Sequence, residues 1–481
     1  MQSRSWRSRP GRRKGRLKTV RLPLAVWFLL LYLAGITIIG KGPTYIGVPP
    51  VFLGEVVMAA GLVFIAPWCG FGVALQGKNS WLTLLIIAWL IVGAVLTAFG
   101  VPEWGLDALR DAAIWYYALF FFIGLGLSCR DRIADRFWRI LCVFWIFAML
   151  WGAADLASGK QLSLSGPVIP WRGVPFLFNA RDESGQNLAL GAFVVIGTGY
   201  LRRKPLLKAF LFPAALVSLA LLAASEGRAV KLGCAAALAV LVTFSFVKPR
   251  IVLASRVRLL VIGAIPAVIL AVMLIPNLSN KMQLDRFTGT RDADGTAEWR
   301  LIWWQRLEHE VMTRNPLFGL GFGESLHVYH PALAKINDPW MLRAPHNFNM
   351  TVFTRMGLAG CVIWAGILIG SVGVLAVRIW RNGDDSGTYS PARREELLFW
   401  LAMIVYTFVN SSFGVLMEGP VLGIWFWLAM GFAMGRSARP DIPRKLLVLA
   451  GLRGELRRMS PVPRFAMRPA FQLLHRQYIE R

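Results

Sequence analysis

Of the five histidines, His309, His327, His330, His346 and His475, only His346 sits at the lip of an apolar segment, in the turn Pro345-His346-Asn347. An unperturbed imidazole titrates near neutral pH and is tolerated at a membrane-water interface, so this His either exchanges protons there or only caps a helix. A second set of residues stands out by charge. Arg110, Arg172, Arg181, Arg228, Lys231, Arg300, Arg343 and Arg355 lie on the side of the chain where cations are otherwise scarce. Arg228 is the sharpest case, opening an apolar segment in AASEGRAVKLG with Glu226 and Lys231 close by. A charge there costs several kcal/mol unless it snorkels, pairs or faces a wet cavity. Pairing with Glu226 is one outcome; binding an anion is the other. A guanidinium fork at a helix N-terminus suits phosphate oxygens, and Arg300 can converge on the same ligand.

Carboxylates are rarer near these cations. Glu418 sits in LMEGP, Asp182 and Glu183 in FNARDESGQN, and Glu55 inside an apolar run. Each is a second acid/base group or an ion-pair partner for an arginine. His327 and His330 have no companion Asp or Cys at ligand spacing, so no metal site is expected.

The elements that must hold these groups are membrane helices. The chain of 481 residues is 56% hydrophobic and 16% charged, with 20 Trp and 30 Phe. Its apolar runs are long enough to cross ~30 Å of hydrocarbon. Spans are predicted at about 22–40, 46–68, 81–99, 109–128, 137–156, 186–200, 206–224, 228–247, 259–276, 348–377, 397–416 and 419–435,. The fold class is an all-α polytopic membrane protein of about 12 transmembrane helices, with a large outer loop between spans 9 and 10. The segments are then a basic N-terminus (1–21), spans 1–9 (22–276), the loop (277–347), spans 10–12 (348–435) and a basic tail (436–481).

A net charge of +27 suggests nucleic acid until the charge is located,. With the basic N-terminus inside, every second connection is also inside, and these are the Lys/Arg-rich ones: CRDRIADR, LRRKP, KPRIVLASRVR, RIWRNGDDSGTYSPARR and the tail. The positive-inside rule thus orients the chain with both termini cytoplasmic. The excess charge faces lipid headgroups, and no nucleic-acid partner is expected. The first span follows MQSRSWRSRPGRRKGRLK without a clear small-residue cleavage site and reads as a retained signal anchor,. In the tail, RKLLVLAGLRGELRRM suits a helix lying on the inner leaflet,. Cys69, Cys129, Cys142, Cys234 and Cys361 fall in inner connections or spans and imply no disulfide framework,.

On the outer side, Glu298 to Thr313, EWRLIWWQRLEHEVMT, is an amphipathic helix with Leu301, Trp304, Leu307 and Val311 on one face,. Asn315-Pro316 ends it, and LFGLGFGES follows as a glycine-rich turn,. Backbone N–H groups of GLGFG can cradle a phosphate, but the run follows a helix instead of joining a strand to one, which makes it a weak nucleotide motif.

Four stretches together resemble the O-antigen ligase and O-antigen polymerase family. The ligase signature is His, then Asn, Ser or Gln, nine free residues, then Gly-x-x-Gly, Thr or Tyr; His346, Asn347, Gly357 and Gly360 meet it. Ser225-Glu226-Gly227-Arg228 is similar to the family's arginine at the start of a span, with Gly227 where a Ser is common. WRLIWWQRLEHEVMTRNPLFGLGFGES is similar to its Arg-x-x-x-Trp helix followed by Pro-x-x-Gly-x-Gly. FNARDESGQNLA looks like its asparagine-bearing entry to a middle span.

The resemblance implies a bacterial inner-membrane enzyme with a periplasmic active site and no metal or cofactor. It implies transfer of a glycan from undecaprenyl pyrophosphate to a hydroxyl of the lipid A core or of another glycan. Carried over, His346 activates the acceptor hydroxyl or orients it, while Arg228 and Arg300 hold the pyrophosphate and stabilise the leaving group. Asn347, Gly357, Gly360, Arg181, Arg172 and Glu418 support them. The alternative is a transporter or flippase for lipid-linked glycans, which commonly shows two related halves and polar groups at the membrane midplane. This chain instead has its bulk in one late outer loop.

Overall fold

In lipid, each backbone N–H and C=O must find its partner within its own segment, so the apolar runs become helices. The computed structural model of the protein describes residues 21–40, 42–48, 51–69, 80–157, 168–169, 174–175, 228–247, 296–329, 344–381, 391–414 and 416–438. In chain order its helices are α1 (Leu24–Ile38), α2 (Leu53–Phe64), α3 (Ser80–Trp104) and α4 (Leu106–Ser128, tightened at Tyr117–Leu119). These are followed by α5 (Asp131–Ala157), α6 (Arg228–Val247), α7 (Thr296–Arg314), α8 (Phe348–Arg381), α9 (Pro391–Ser411) and α10 (Pro420–Ala438). Among the described residues four helices, α3, α4, α10 and Phe348–Trp380 within α8, are long and apolar enough to cross a membrane.

Helices α1 to α6 and α8 to α10 fall on expected spans, and the spans expected at 186–200, 206–224 and 259–276 lie outside the described residues. The expected span at 46–68 begins differently. Gly47–Val48 and Val51–Phe52 pair as an antiparallel hairpin before α2 starts, because consecutive prolines at positions 49 and 50 offer no N–H to a helix,. A second two-residue pair joins Val168–Ile169 to Val174–Pro175.

Small residues let the helices approach closely, as packing in lipid requires. A methyl group on Gly431 of α10 would meet the Phe121 carbonyl of α4 at 1.9 Å, and one on Gly124 would meet the Leu428 carbonyl at 2.1 Å. The core beside this seam is aromatic: Trp89, Trp364 and Trp427 stand 5.8 to 6.5 Å apart by ring centroids.

At the far end of α8 from His346, charges expected to face lipid headgroups are instead knitted together. Arg436 of α10, 4% exposed, donates to both carboxylate oxygens of Glu396 at 2.9 and 3.1 Å and also pairs with Asp131. Arg393 joins the same Glu396 at 3.4 Å and Asp131 at 3.7 Å. The stretch CRDRIADR is therefore not a loop; α5 starts at Asp131, and the cluster ties α5, α9 and α10. At this end Cys69 and Cys129 are joined as a disulfide with Cα atoms 5.4 Å apart, a pairing hidden by 60 residues of separation. Their proximity follows from packing: Gly126 lies so close to the Ile65 carbonyl that an added methyl would sit 2.2 Å from it.

Candidate functional site

The His346 turn is built from its neighbours. Asn347 caps α8, its side-chain oxygen accepting from the main-chain N–H of Asn349 at 2.9 Å and of Met350 at 3.3 Å; these are two of the donors that a helix start leaves without an internal partner. His346, just before the cap, has φ +54°. Among the described residues it is the only non-glycine in this left-handed region, where a side chain is held only if its surroundings impose it,. The constraint comes from α7. The indole N–H of Trp304 donates to the Pro345 carbonyl at 2.7 Å.

Below the turn, the side-chain amide of Asn349 donates to Ser412 at 3.0 Å and its oxygen accepts from the Trp364 indole at 3.0 Å. The Thr351 hydroxyl donates to Glu418, which lies in the short turn Leu416–Glu418 between α9 and α10. Glu418 keeps part of its surface open, yet its carboxyl is set deep enough that burial pushes its pKa up to about 8 against the opposing pull of Thr351 and Arg355,. At neutral pH this carboxyl is predominantly protonated.

Arg300 lies one helical turn before Trp304 on α7, so the two share a face, and that face meets the His346 turn,. Arg300 is half-buried. The buried stripe of α7 is rotated from the expected one: Trp303, Leu307 and Val311 are fully covered, Trp304 is half-buried and Leu301 is exposed. Trp303 and Leu307 pack on Leu326 in a small separate core, which folds the segment after α7 back onto it. Arg314, Glu324 and Tyr329 close this fold, with Glu324 accepting from Arg314 at 2.8 Å and from Tyr329 at 2.7 Å.

The glycine-rich run does something the sequence reading did not foresee. Helix α8 is broken at Gly357, with φ +62° and ψ −157°, and the run fills the break. The N–H groups of Leu358 and Ala359 donate to the Pro316 and Leu317 carbonyls at 2.9 and 3.0 Å, and the Leu320 N–H donates to the Thr354 carbonyl at 2.7 Å. These contacts satisfy backbone groups that the break would strand. Gly319 and Gly357 are required here by close approach: a methyl on either would sit 2.5 to 2.7 Å from backbone atoms of the other's segment. The run is a structural seal, and several of its main-chain groups are engaged by α8.

The remaining candidates divide. Helix α6 begins at Arg228, and its Gly233 packs on Tyr406 near the end of α9, just beyond which Ser412 holds Asn349, so the start of α6 lies toward the His346 turn. Gly360 packs on Met356 and Val352 of its own helix. Arg172 and Arg181 lie outside the described residues, as do Asp182 and Glu183. Glu55 caps α2 through the Phe52 N–H at 3.1 Å and accepts from the hydroxyls of Tyr116 and Tyr117 at 2.9 and 3.3 Å.

Sequence reasoning missed Thr351 and Asp111. A signal existed for Asp111, a carboxylate directly beside Arg110 on the side where carboxylates are scarce. Thr351 carried none, since only the fold brings it to Glu418.

These features define a helical membrane protein with a polar site at one end of its bundle, built around a strained His, a protonated carboxyl and a helix carrying arginine. The family model for O-antigen ligase matches residues 213–365, so the resemblance to the O-antigen ligase and polymerase family, first seen in short motifs, holds over this stretch. The matched segment runs from the approach to α6 through α7 into α8 and thus includes Arg228, Arg300 and His346. It supports glycan transfer as the general activity, with lipid-linked glycan and acceptor as the general substrates. Among curated proteins none matches the chain.

Proposed function

We propose that the protein transfers or polymerises a glycan, taken from undecaprenyl pyrophosphate, onto an acceptor hydroxyl at the periplasmic face of the inner membrane. The observation that carries this reading is the Trp304 to Pro345 hydrogen bond, which holds the Arg300 face of α7 against the His346 turn. Arg300 and Arg228 bind the pyrophosphate and take up the charge that develops as it leaves. His346 accepts the proton of the acceptor hydroxyl. The hydroxyl oxygen then forms its bond to the anomeric carbon, the bond from that carbon to the pyrophosphate breaks, and undecaprenyl pyrophosphate departs with the electron pair. Positioned proton transfer of this kind contributes roughly 10²–10⁴-fold. The acceptor is the lipid A core for a ligase or a growing glycan end for a polymerase. Arg172, Arg181 and Glu418 act as supporting groups, and no metal or cofactor takes part.

The test is transfer by the purified protein from an undecaprenyl pyrophosphate glycan to a panel of acceptors, with EDTA, beside His346→Asn, Arg228→Gln and Arg300→Gln. Asn tolerates the left-handed backbone at position 346 better than Ala, so the turn is retained. EDTA-resistant transfer lost in all three variants supports the reading. Wild-type protein that transfers nothing but moves the lipid across vesicles replaces it with a transporter.

A further inference from the structure

We propose that Arg355 and Asp111 are positioning residues for the transfer reaction, clamping the segment after α7 onto α8 so that Arg300 and His346 stay in register. This rests on the reading of the site given above. Arg355 is two residues before the break at Gly357 and is 2% exposed. A guanidinium at such depth is stable only when its donors are matched. One terminal nitrogen donates to the Gly321 carbonyl at 3.1 Å and the Glu324 carbonyl at 2.7 Å, and the other meets Asp111 at 2.8 Å. Asp111 in turn accepts from the Gly323 N–H at 3.2 Å. Three separate segments thus meet at one ion pair: the start of α4, the glycine-rich run and the His346-bearing half of α8.

The geometry of the run fits a clamp. Gly319, Gly321 and Gly323 all have positive φ, between 74° and 104°, which turns the Gly321 carbonyl and the Gly323 N–H toward the pair. A Cβ on Gly323 would strike Trp104, so α3 supports the run from behind. Helix α7 runs into this region directly through Asn315 and Pro316 and is tied to it again by the Arg314–Glu324 pair and by Trp303 and Leu307 packed on Leu326, so the two move together. Loosening the clamp therefore lets α7, with Arg300, shift against His346 while each helix remains formed. Misplacement of reacting groups by about 1 Å lowers turnover by up to roughly 10²-fold without weakening binding equally.

Replacing Arg355 alone leaves the half-buried Asp111 without that guanidinium, so the decisive variant is Arg355→Gln with Asp111→Asn, compared in full-length protein with wild type, each single variant and Arg355→Lys. Two readouts are taken: glycan-transfer kinetics, and hydrogen exchange of peptides covering residues 315–323. The expected result for the double variant is a kcat lower by about tenfold or more, KM within about twofold, and faster exchange in that run alone. Arg355→Lys, which keeps the charge but not the fork, recovers part of the lost turnover. Wild-type turnover in the double variant overturns the proposal, and so does a loss expressed in KM. If wild type transfers to no acceptor, the functional reading fails separately, and exchange in residues 315–323 that stays at the wild-type rate still overturns the clamp.

Discussion

Trp304 and Pro345, 41 residues apart, meet through one hydrogen bond of 2.7 Å that sets the attitude of the turn holding His346. Phenylalanine at position 304 preserves the ring and deletes the donor. A neutral bond of this kind contributes about 1 kcal/mol, and its loss also frees the turn. Trp304→Phe is expected to lower turnover about five- to tenfold while shifting the thermal midpoint by no more than a few degrees. Steady-state transfer rates beside a melting curve check this.

Gly357→Ala is expected to be far more damaging than an ordinary helix substitution. The residue needs φ +62°, and its new methyl would lie 2.5 Å from the Leu317 carbonyl carbon and the Gly319 nitrogen. Positive φ with extended ψ is essentially confined to glycine and costs other residues about 1–3 kcal/mol before any clash is counted,. Gly360 has no positive φ, so alanine there is opposed by crowding alone, its methyl meeting the Met356 Cβ at 2.3 Å. Comparing the two by detergent-resistant folded yield separates the strained position from the merely crowded one.

Glu418 makes stability depend on pH. Its pKa in the folded protein is raised to about 8, above the ordinary value of 4.5. The unfolded chain therefore ionises first, so the contribution of this group is fully present below pH 4.5, declines as pH rises, and is lost once pH passes 8,. Glu418→Gln cannot ionise. Its thermal midpoint is expected to fall less than that of wild type between pH 5 and pH 8.5, by an amount of about a few degrees. Equal slopes for both proteins would show that the carboxyl titrates normally.

Thiol counting checks the pairing at the opposite end of the bundle. With Cys69 and Cys129 joined, denatured protein kept from reductant is expected to take maleimide at Cys142, Cys234 and Cys361 only, and at all five cysteines after reduction. Labelling of five without reductant would contradict it.

How far the fold was legible differs by element. Apolar length alone located α1 to α6 and α8 to α10, because lipid leaves an apolar backbone one economical way to pair its polar groups. His346, Asn347, Gly357 and Gly360 were legible as a match to a family signature, and Arg300 with Trp304 as the Arg-x-x-x-Trp of the same resemblance. Their physical reasons were not. A break at Gly357 cannot be read from a run whose hydropathy is continuous, and its seal is supplied by main-chain groups of residues 316–320, which carry no side-chain signature. The ion pairs Arg355–Asp111 and Arg436–Glu396 were hidden for a related reason: each joins segments remote in sequence, and charge counting assigned these residues to a side of the membrane without assigning them partners.

The break in α8 has a consequence for how the protein meets bilayers of unequal thickness. A continuous helix answers hydrophobic mismatch by leaning, and the lean reaches both of its ends. Here the lipid-embedded part after Gly357 and the part bearing His346 do not share a continuous hydrogen-bond ladder, and the second takes its direction from Trp304, Asp111 and the seal. Leaning imposed by the lipid is absorbed at Gly357. The His346 turn thus takes its attitude from the protein's own contacts rather than from the thickness of the bilayer.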